Sequence, residues 1–473
     1  MSLIIPANSA AASGGFSVDN SLRFNRASSD SLNRTFGTPT NSKKLTISFW
    51  TKFMAESGND HHAFSNGDSN ANESLISFIN SGNHNLEIKE DISSSPTYQF
   101  VTNRVFRDSS AWFHIVIAWD SSQGTESNRL KLYINGVQET SLASANYPNL
   151  NQNIKFNTNI AQYIGKRHRN EGAFFNGYMA EVVFIDGTQY AASDFGEFDE
   201  DSGIWKPINV SGLTFGNNGF YLDFENSGAL GNDAAGSNNF TVNNLTATDQ
   251  STDTCTNNFA TLNPLDNYWS QSTFSEGNCV YTGNNTSEYY GVATSTIGIS
   301  KGRWYFEAKV ATSSGQDILG ITSRTKTGYG TWLGSTTQAY GYYQDNGEIR
   351  SGGSDTSYGQ TYGANDIIGI YLDLEDNKMY VSDNGSLMNS GTGHTITAAA
   401  LTDSGFYHFA VGDNSDNTQV WQCNFGGSPS FAISSGNTDD NGYGNFEYSP
   451  NITGDSVAKK FYSLCTKNLA EFG

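Results

Sequence analysis

The chain has 473 residues and a formal net charge of −21, from 26 basic and 47 acidic side chains. That balance opposes binding a polyanion such as nucleic acid, because phosphate contacts need a basic surface, and it opposes attraction to anionic membranes. Aromatics make up 13% of the residues, charged groups only 15%, and there are 49 glycines; this composition describes short aromatic strands joined by Gly, Asn and Ser turns rather than exposed helices.

A chain of this length predicts two or three domains. Residues 1–15 (MSLIIPANSAAASGG) hold an apolar run too short for a secretory signal, and no basic residue precedes it. They are expected to form an N-terminal arm on a protein made in a cytoplasm. No run approaches the ~18 apolar residues of a membrane-spanning helix, so no membrane insertion is expected. Phe16–Phe24 alternates, and Leu45–Phe53 (LTISFWTKF) predicts a strand. Further strands are predicted at Leu75–Ile79, Asn85–Glu90 and Tyr98–Val105, with a turn at Asn80–Asn83. Phe113–Trp119, a polar loop, Leu130–Ile134 and the turn Asn135-Gly136 read as a hairpin. Ile160–Ile164 and Gly177–Asp186 complete a many-stranded sandwich at residues 16–190.

Residues 191–267 read as an Asn/Gly/Ser-rich connector. Ser193–Phe198 is predicted as a short helix with Ser193 as N-cap, and Gly219–Phe224 and Phe240–Leu245 as short strands. A second sandwich is predicted over residues 268–427, with strands at Gly302–Ala311, Ile318–Ser323 and Tyr340–Tyr343. Its clearest element is the hairpin Asp366–Gly385. Ile368, Ile370, Leu372 and Leu374 share one face there, while Ile367 and Tyr371 on the other predict that both sides are covered. Phe406–Phe425 follows. The tail, residues 428–473, carries Phe431, Phe446, Phe461 and Tyr462 and is expected to pack on the body or on a partner, with Val457–Leu464 as a short helix or strand.

Cys255, Cys279, Cys423 and Cys465 show no CxxC spacing and no His-rich neighbourhood, so no zinc site is expected. Free thiols are expected, with Cys279 and Cys423 the pair to test for a disulfide. The histidines form no HExxH and no supported Ser/His/Asp order. Lys166-Arg167-His168-Arg169 is the basic cluster of the chain; it fits an acidic sugar, a partner's carboxylates or a solvated hairpin tip. Tyr329, Trp332, Tyr340, Tyr342, Tyr343, Tyr358 and Tyr362 lie among Gly and Ser residues. Such a set serves either as a recognition surface of rigid amphipathic rings or as sandwich core.

The series NSLRFNRASSDSLNRTFG, LTISFWTKF, AWFHIVIAWD, RLKLYINGV, YIGKR and FNGYMAEVVFIDG resembles a laminin-G-like, concanavalin A-like lectin/glucanase domain. GRWYFEAKV, IIGIYLDLEDNKMYVSDNG and NFG resemble a SPRY domain. The fold implied is all-β, two concanavalin A-like antiparallel β-sandwiches of jelly-roll type joined by the connector. SPRY domains bind partners through loops, which favours the tyrosine-rich set as the recognition surface. The connector wording from Leu222 to Leu265, and the opening IIPANSAAASGG, are similar to virion proteins of tailed, chiefly marine, bacteriophages. That likeness implies a head decoration, head fibre or tail fibre on a virion, a homo-oligomer expected to be trimeric, capsid or tail proteins as partners, and a host-surface glycan or protein as a further one.

The concanavalin A-like resemblance also raises glycoside hydrolysis, which needs paired carboxyls ~5–5.5 Å apart in the retaining case. The E-x-D-x-x-E pattern of that class is approached only at Glu197–Ser202, where the last acid is replaced by Ser202. Asp223 and Glu225 share a face without a third partner. No enzyme is expected. Laminin-G-like domains can hold calcium at a loop rim; Asp120 is the candidate, but as an ordinary turn carboxylate it commits no cofactor.

Overall fold

The computed structural model describes residues 15–54, 58–69, 71–80, 84–169, 173–267, 271–284, 290–323, 331–413, 417–453 and 458–473. All but the last residue of the expected N-terminal arm, and most of the predicted turn at Asn80–Asn83, lie outside the described residues. The protein is nearly all-β and divides into two compact units, one ending at Thr256 and the other running from Asn257 to Gly473.

In the first unit one antiparallel sheet runs Val137–Gln138, Leu130–Ile134, Phe113–Asp120, Lys44–Phe53, Gly177–Asp186, Ser21–Phe24, Gln250–Ser251. The facing sheet runs Leu142–Asn146, Ser95–Val105, Asn85–Ile92, Asn72–Ile79, His61–Ser69, Ala161–Ile164, Ser31–Thr35, Thr241–Asn243. The period-2 alternation puts Ile115, Ile117, Trp119, Ile47 and Phe49 into one inter-sheet core with Ile76, Phe78, Ile88 and Phe100. Gly177–Asp186 is buried along its whole length, so its outer face is covered too. A second apolar cluster of Trp50, Val116, Val183, Phe195, Trp205 and Val210 lies on that face.

Much of this cover comes from the stretch read as a connector. Phe220–Leu222 pairs with Gly177–Asp186, Thr241–Asn243 with Ser31–Thr35, and Gln250–Ser251 with Ser21–Phe24. Residues 191–256 therefore complete the first sandwich. Ser193–Phe198 differs from the predicted helix: it is a 3₁₀ turn at Ala192–Asp194 followed by the strand Gly196–Phe198, which pairs with Trp205–Pro207. Phe195 and Trp205 bury against the sheet, and that burial outweighs the weak helical preference of a six-residue segment.

The second unit repeats the plan. One sheet runs Leu262–Asn267, Val292–Ser295, His408–Asp413, Asp317–Thr322, Ala339–Tyr343, Glu348–Ser351, Ser354–Ser357. The other runs Thr273–Ser275, Val280–Asn284, Thr418–Asn424, Arg303–Thr312, Ile367–Asp373, Lys378–Asp383, Ser386–Leu387. The predicted hairpin lies at its heart, with Ile370 opposite Val381 and Leu372 opposite Met379. Ile368, Ile370, Leu372 and Leu374 enter the core. Tyr371 faces outward into a cluster with Tyr305, Tyr380, Phe446, Ile452 and Phe461. Three of those six come from the tail, so the tail covers the outer face that the hairpin's near-continuous apolar pattern requires. Tyr462–Ser463 runs parallel to Arg303–Thr312, and Thr466–Phe472 is a short α-helix that the sequence pattern did not reveal. Cys423 N–H donates to Cys279 O at 2.7 Å, and no disulfide joins the four cysteines.

Candidate functional site

The tyrosine-rich set divides between core and surface. Tyr340, Tyr342, Tyr358 and Tyr362 are buried in the inter-sheet core. Tyr342 and Tyr362 stack with centroids 5.5 Å apart. Tyr342 donates to Gln360 O at 2.6 Å, and Tyr362 donates to Asp317 O at 2.8 Å. Burial pushes the Tyr342 hydroxyl up to about 12, as expected of a core phenol that stays neutral. These four are scaffold, and the recognition reading of them is corrected. Their sequence signal was ambiguous because Tyr serves both purposes, and its single hydroxyl is easily satisfied by a backbone carbonyl. Tyr343 and Trp332 lie on the outer face, where the Arg350 guanidinium sits 3.5 Å from the Tyr343 ring centroid and 5.7 Å from that of Trp332. Trp332 is half-buried and, among the described members of the set, is the one that still meets solvent. Tyr329 lies outside the described residues.

The basic cluster is also engaged from within. Glu73 is buried, and its carboxylate accepts hydrogen bonds from both Arg167 and Arg169. Burial alone would raise its pKa, yet the Arg167 and Arg169 guanidiniums hold it below the usual range. The His168 side chain is buried against Gly67, where any Cβ would clash with its ring, and burial lowers its pKa. The cluster folds back onto its own sheet and is not a free hairpin tip.

The acid candidates are equally committed. Asp199 accepts from Ser202 N–H and Oγ–H, both at 2.9 Å, and pairs with Lys206 at 3.1 Å. Glu197 lies on the strand Gly196–Phe198 and Asp199 just beyond it, and both pair with Lys206 on the neighbouring strand Trp205–Pro207. Asp120 accepts from Ser122 N–H, Ser122 Oγ–H and Gln123 Nε2, and it lies 3.2 Å from Lys44 Nζ. A carboxylate ringed by donors and a cation offers no lone pairs to calcium. Among the described residues no group of three His, Cys, Asp or Glu side chains is placed to hold a metal.

One contact resembles a nucleophile and its base. Ser48 Oγ lies 2.8 Å from His114 Nε2. The ring stacks on Trp50 at 4.7 Å, and Trp205 Nε1–H donates to His114 Nδ1 at 2.9 Å. That donation fixes the tautomer: the ring proton is on Nε2 and points at Ser48. A base must instead accept the serine proton there. Burial lowers the His114 pKa to about 3, so the ring is a neutral structural bridge that seats Trp205.

The sequence did not foresee a cavity of about 400 Å³ on the second unit, between the Arg303 strand and the tail. Arg303, Glu375, Asn451, Lys460, Tyr462 and Phe472 line it. Tyr462 and Phe472 are held parallel with centroids 3.8 Å apart. Arg303 Nε bonds Asp373 at 3.0 Å and its Nη2 bonds Glu375 at 2.8 Å. Gly302, with φ +84°, lets the end of the tail helix approach: a Cβ would meet Phe472 O at 2.6 Å. Tail aromatics were the available signal, but no spacing rule joins residue 303 to residues 451–472.

Comparison with known proteins shows what part of each unit is similar to. Residues 25–192 match the concanavalin A-like lectin/glucanases superfamily in its laminin G form, and residues 303–427 match the SPRY domain. Such domains suit binding or adhesion. Among solved structures, the SPRY domain of human HERC1 is 13% identical, covering 34% of this chain and 96% of that one at a TM-score of 0.28. A human SPRY domain is 16% identical, covering 31% and 90% at 0.25. The stonustoxin structure is 15% identical, covering 35% of this chain and 27% of that one at 0.27. No curated protein matches the chain in sequence.

Proposed function

We propose that the chain is a non-enzymatic structural and adhesive subunit of a tailed-phage virion, a head decoration or a head or tail fibre. It assembles as a trimer, holds a capsid or tail protein, and presents its loops to a host-surface glycan or protein. The observation that carries this reading is the pairing of two binding-type β-sandwiches in one chain. The wording of the connector supports the virion setting. Weak sites suffice on a symmetric particle, because multivalency multiplies them. The test is mass spectrometry of purified particles: the chain is expected among their proteins, and its absence sinks the reading.

The other reading is a free carbohydrate-binding protein or a glycoside hydrolase. It requires an acid pair able to turn over a β-glucan. Hydrolysis lost in Glu197→Gln or Asp199→Asn would establish it in place of the first.

A further inference from the structure

Cys279 and Cys423 meet across two strands of the second unit. Val280–Asn284 pairs antiparallel with Thr418–Asn424, and Val280 stands opposite Gln422, so one step back along that register sets Cys279 opposite Cys423. Cys423 N–H donates to Cys279 O at 2.7 Å, which makes the two a hydrogen-bonded cross-strand pair. Side chains directly opposite share one face of a sheet. Both cysteines are buried, at 1% and 0% exposure. Burial pushes the Cys423 thiol well up, and Cys279 pushes it further, as a second sulfur at close range does. Ser430 Oγ lies 3.1 Å from Cys279 O and 3.0 Å from Cys423 O, so one hydroxyl bridges the two backbones. The other two cysteines have different surroundings: Cys255 packs in the outer cluster of the first unit, and Cys465 stands opposite Phe259.

Geometry sets the kind of bond that this pair makes. The α-carbons of a hydrogen-bonded antiparallel pair are ~5.5 Å apart, inside the ~4.4–6.8 Å that a disulfide spans. Their β-carbons are about as far apart, whereas a relaxed disulfide brings them to ~3.8 Å. The strands must therefore pinch together. One of the two main-chain bonds expected of such a pair is already given up, since Cys279 N–H donates to Glu276 O at 3.1 Å rather than to Cys423 O. Cys279 thus moves toward its neighbour at the cost of the single bond that remains. A disulfide made under strain is the reducible kind. Access comes from the edge of the sheet. Outside Val280–Asn284 lies only the three-residue strand Thr273–Ser275. Local opening of so short an edge costs less than global unfolding, and it uncovers the thiols that the closed fold buries.

We propose that Cys279 and Cys423 form a reversible cross-strand disulfide, open in a reducing compartment and closed when the chain meets a small-molecule disulfide such as oxidised glutathione. One cysteine thiolate attacks the glutathione disulfide; a mixed disulfide forms and the first glutathione thiolate leaves. The second cysteine then attacks the protein sulfur of that mixed disulfide and releases the second glutathione. The two cysteines lose two electrons and two protons, and the oxidised glutathione takes them up as two thiols. The bond closes residues 279–423 into one loop that holds most of the SPRY-matching stretch.

The test is incubation of the full chain with oxidised glutathione, without denaturant, followed by alkylation, digestion and mass spectrometry without reduction. The expected product is a peptide pair joined through Cys279 and Cys423 and lighter by two hydrogens than its separate halves, with Cys255 and Cys465 still alkylated as thiols. An excess of reduced glutathione is expected to reopen the bond and return both cysteines to the alkylated form. In Cys423→Ser the joined peptide is expected to vanish. Cys279 and Cys423 both alkylated after oxidation overturn the proposal, as do glutathione adducts that never resolve, or a bond to Cys255 or Cys465. A joined pair that resists excess reduced glutathione overturns its reversibility. Peptide mapping of the unmodified chain decides the question even if the serine variant misfolds.

Discussion

Replacing Phe461 by alanine removes a ring that is 0% exposed and lies on the outer face of the second sandwich. The ring packs edge-on against Tyr371 with centroids 5.2 Å apart and against Tyr380 at 6.2 Å. Burying a phenylalanine and then truncating it in a core costs about 3–5 kcal/mol. The two edge-to-face contacts account for about 0.5–1.5 kcal/mol each within that loss. Phe461 belongs to the tail that covers the sheet rather than to the core between sheets, so partial collapse of the tail offsets some of the cavity. The lower half of the range, about 3–4 kcal/mol, is therefore expected. For a domain of about 150–250 residues this corresponds to a fall in Tm of about 2–4 °C per kcal/mol, hence about 6–16 °C. Differential scanning calorimetry of the full chain reads it, with Leu401→Ala as the control. Leu401 is 77% exposed, and its loss is expected to fall within about 0.5 kcal/mol. A Phe461→Ala loss below about 1 kcal/mol would refute the reasoning, because it would mean that the tail is not part of the cooperative domain.

Two further expectations follow from buried charge. Lys52 and Asp253 are each 1% exposed and meet at 2.8 Å, so Lys52→Met strands a buried carboxylate and is expected to cost about 3–5 kcal/mol in urea unfolding. The double variant Lys52→Met, Asp253→Leu is expected to recover most of that loss, and a double variant as unstable as the single one would contradict the assignment. Glu181 is buried on the outer sheet face. Burial, together with Asp223, Glu225 and Asp19, raises its carboxyl from 4.5 to about 8, against one hydrogen bond from Tyr221 at 2.7 Å. Because its folded pKa is raised, its stabilising contribution is complete below about 4.5 and is lost as pH rises through about 8. Each tenfold difference in proton affinity between the folded and unfolded chain is worth about 1.4 kcal/mol. Urea midpoints should therefore fall between about pH 5 and pH 8, and Glu181→Gln should flatten that slope; an equal slope in both proteins would reject Glu181 as its source.

Strand identity was legible because it depends on local alternation. Ile368, Ile370, Leu372 and Leu374 had to share a face, and they do. Even the covered outer face could be inferred, since Tyr371 is aromatic where a solvated sheet would be polar. The identity of the cover was not legible: Tyr371 meets Phe461, and Tyr133 joins a cluster with Trp205, across separations that no periodicity encodes. The roles of individual side chains were still less legible. Arg167 and Arg169 look like a free basic patch until Glu73 is brought beneath them. Glu181 sits at an irregularity between Ala180 and Val183 with φ +51°, which re-aims its carboxyl toward Tyr221.

By itself, the sequence determined that the chain is all-β, built as two sandwiches around inward-facing Ile, Leu, Val, Phe and Trp. Alternation is a property of neighbouring residues, and burial of the apolar set leaves only that register. Tertiary structure alone decided that residues 191–256 complete the first sandwich, that the tail seals the second, and that Tyr342 and Tyr362 are scaffold. Those outcomes depend on which distant surfaces meet, and the free energy of that meeting resides in shape and in satisfied hydrogen bonds rather than in any local pattern.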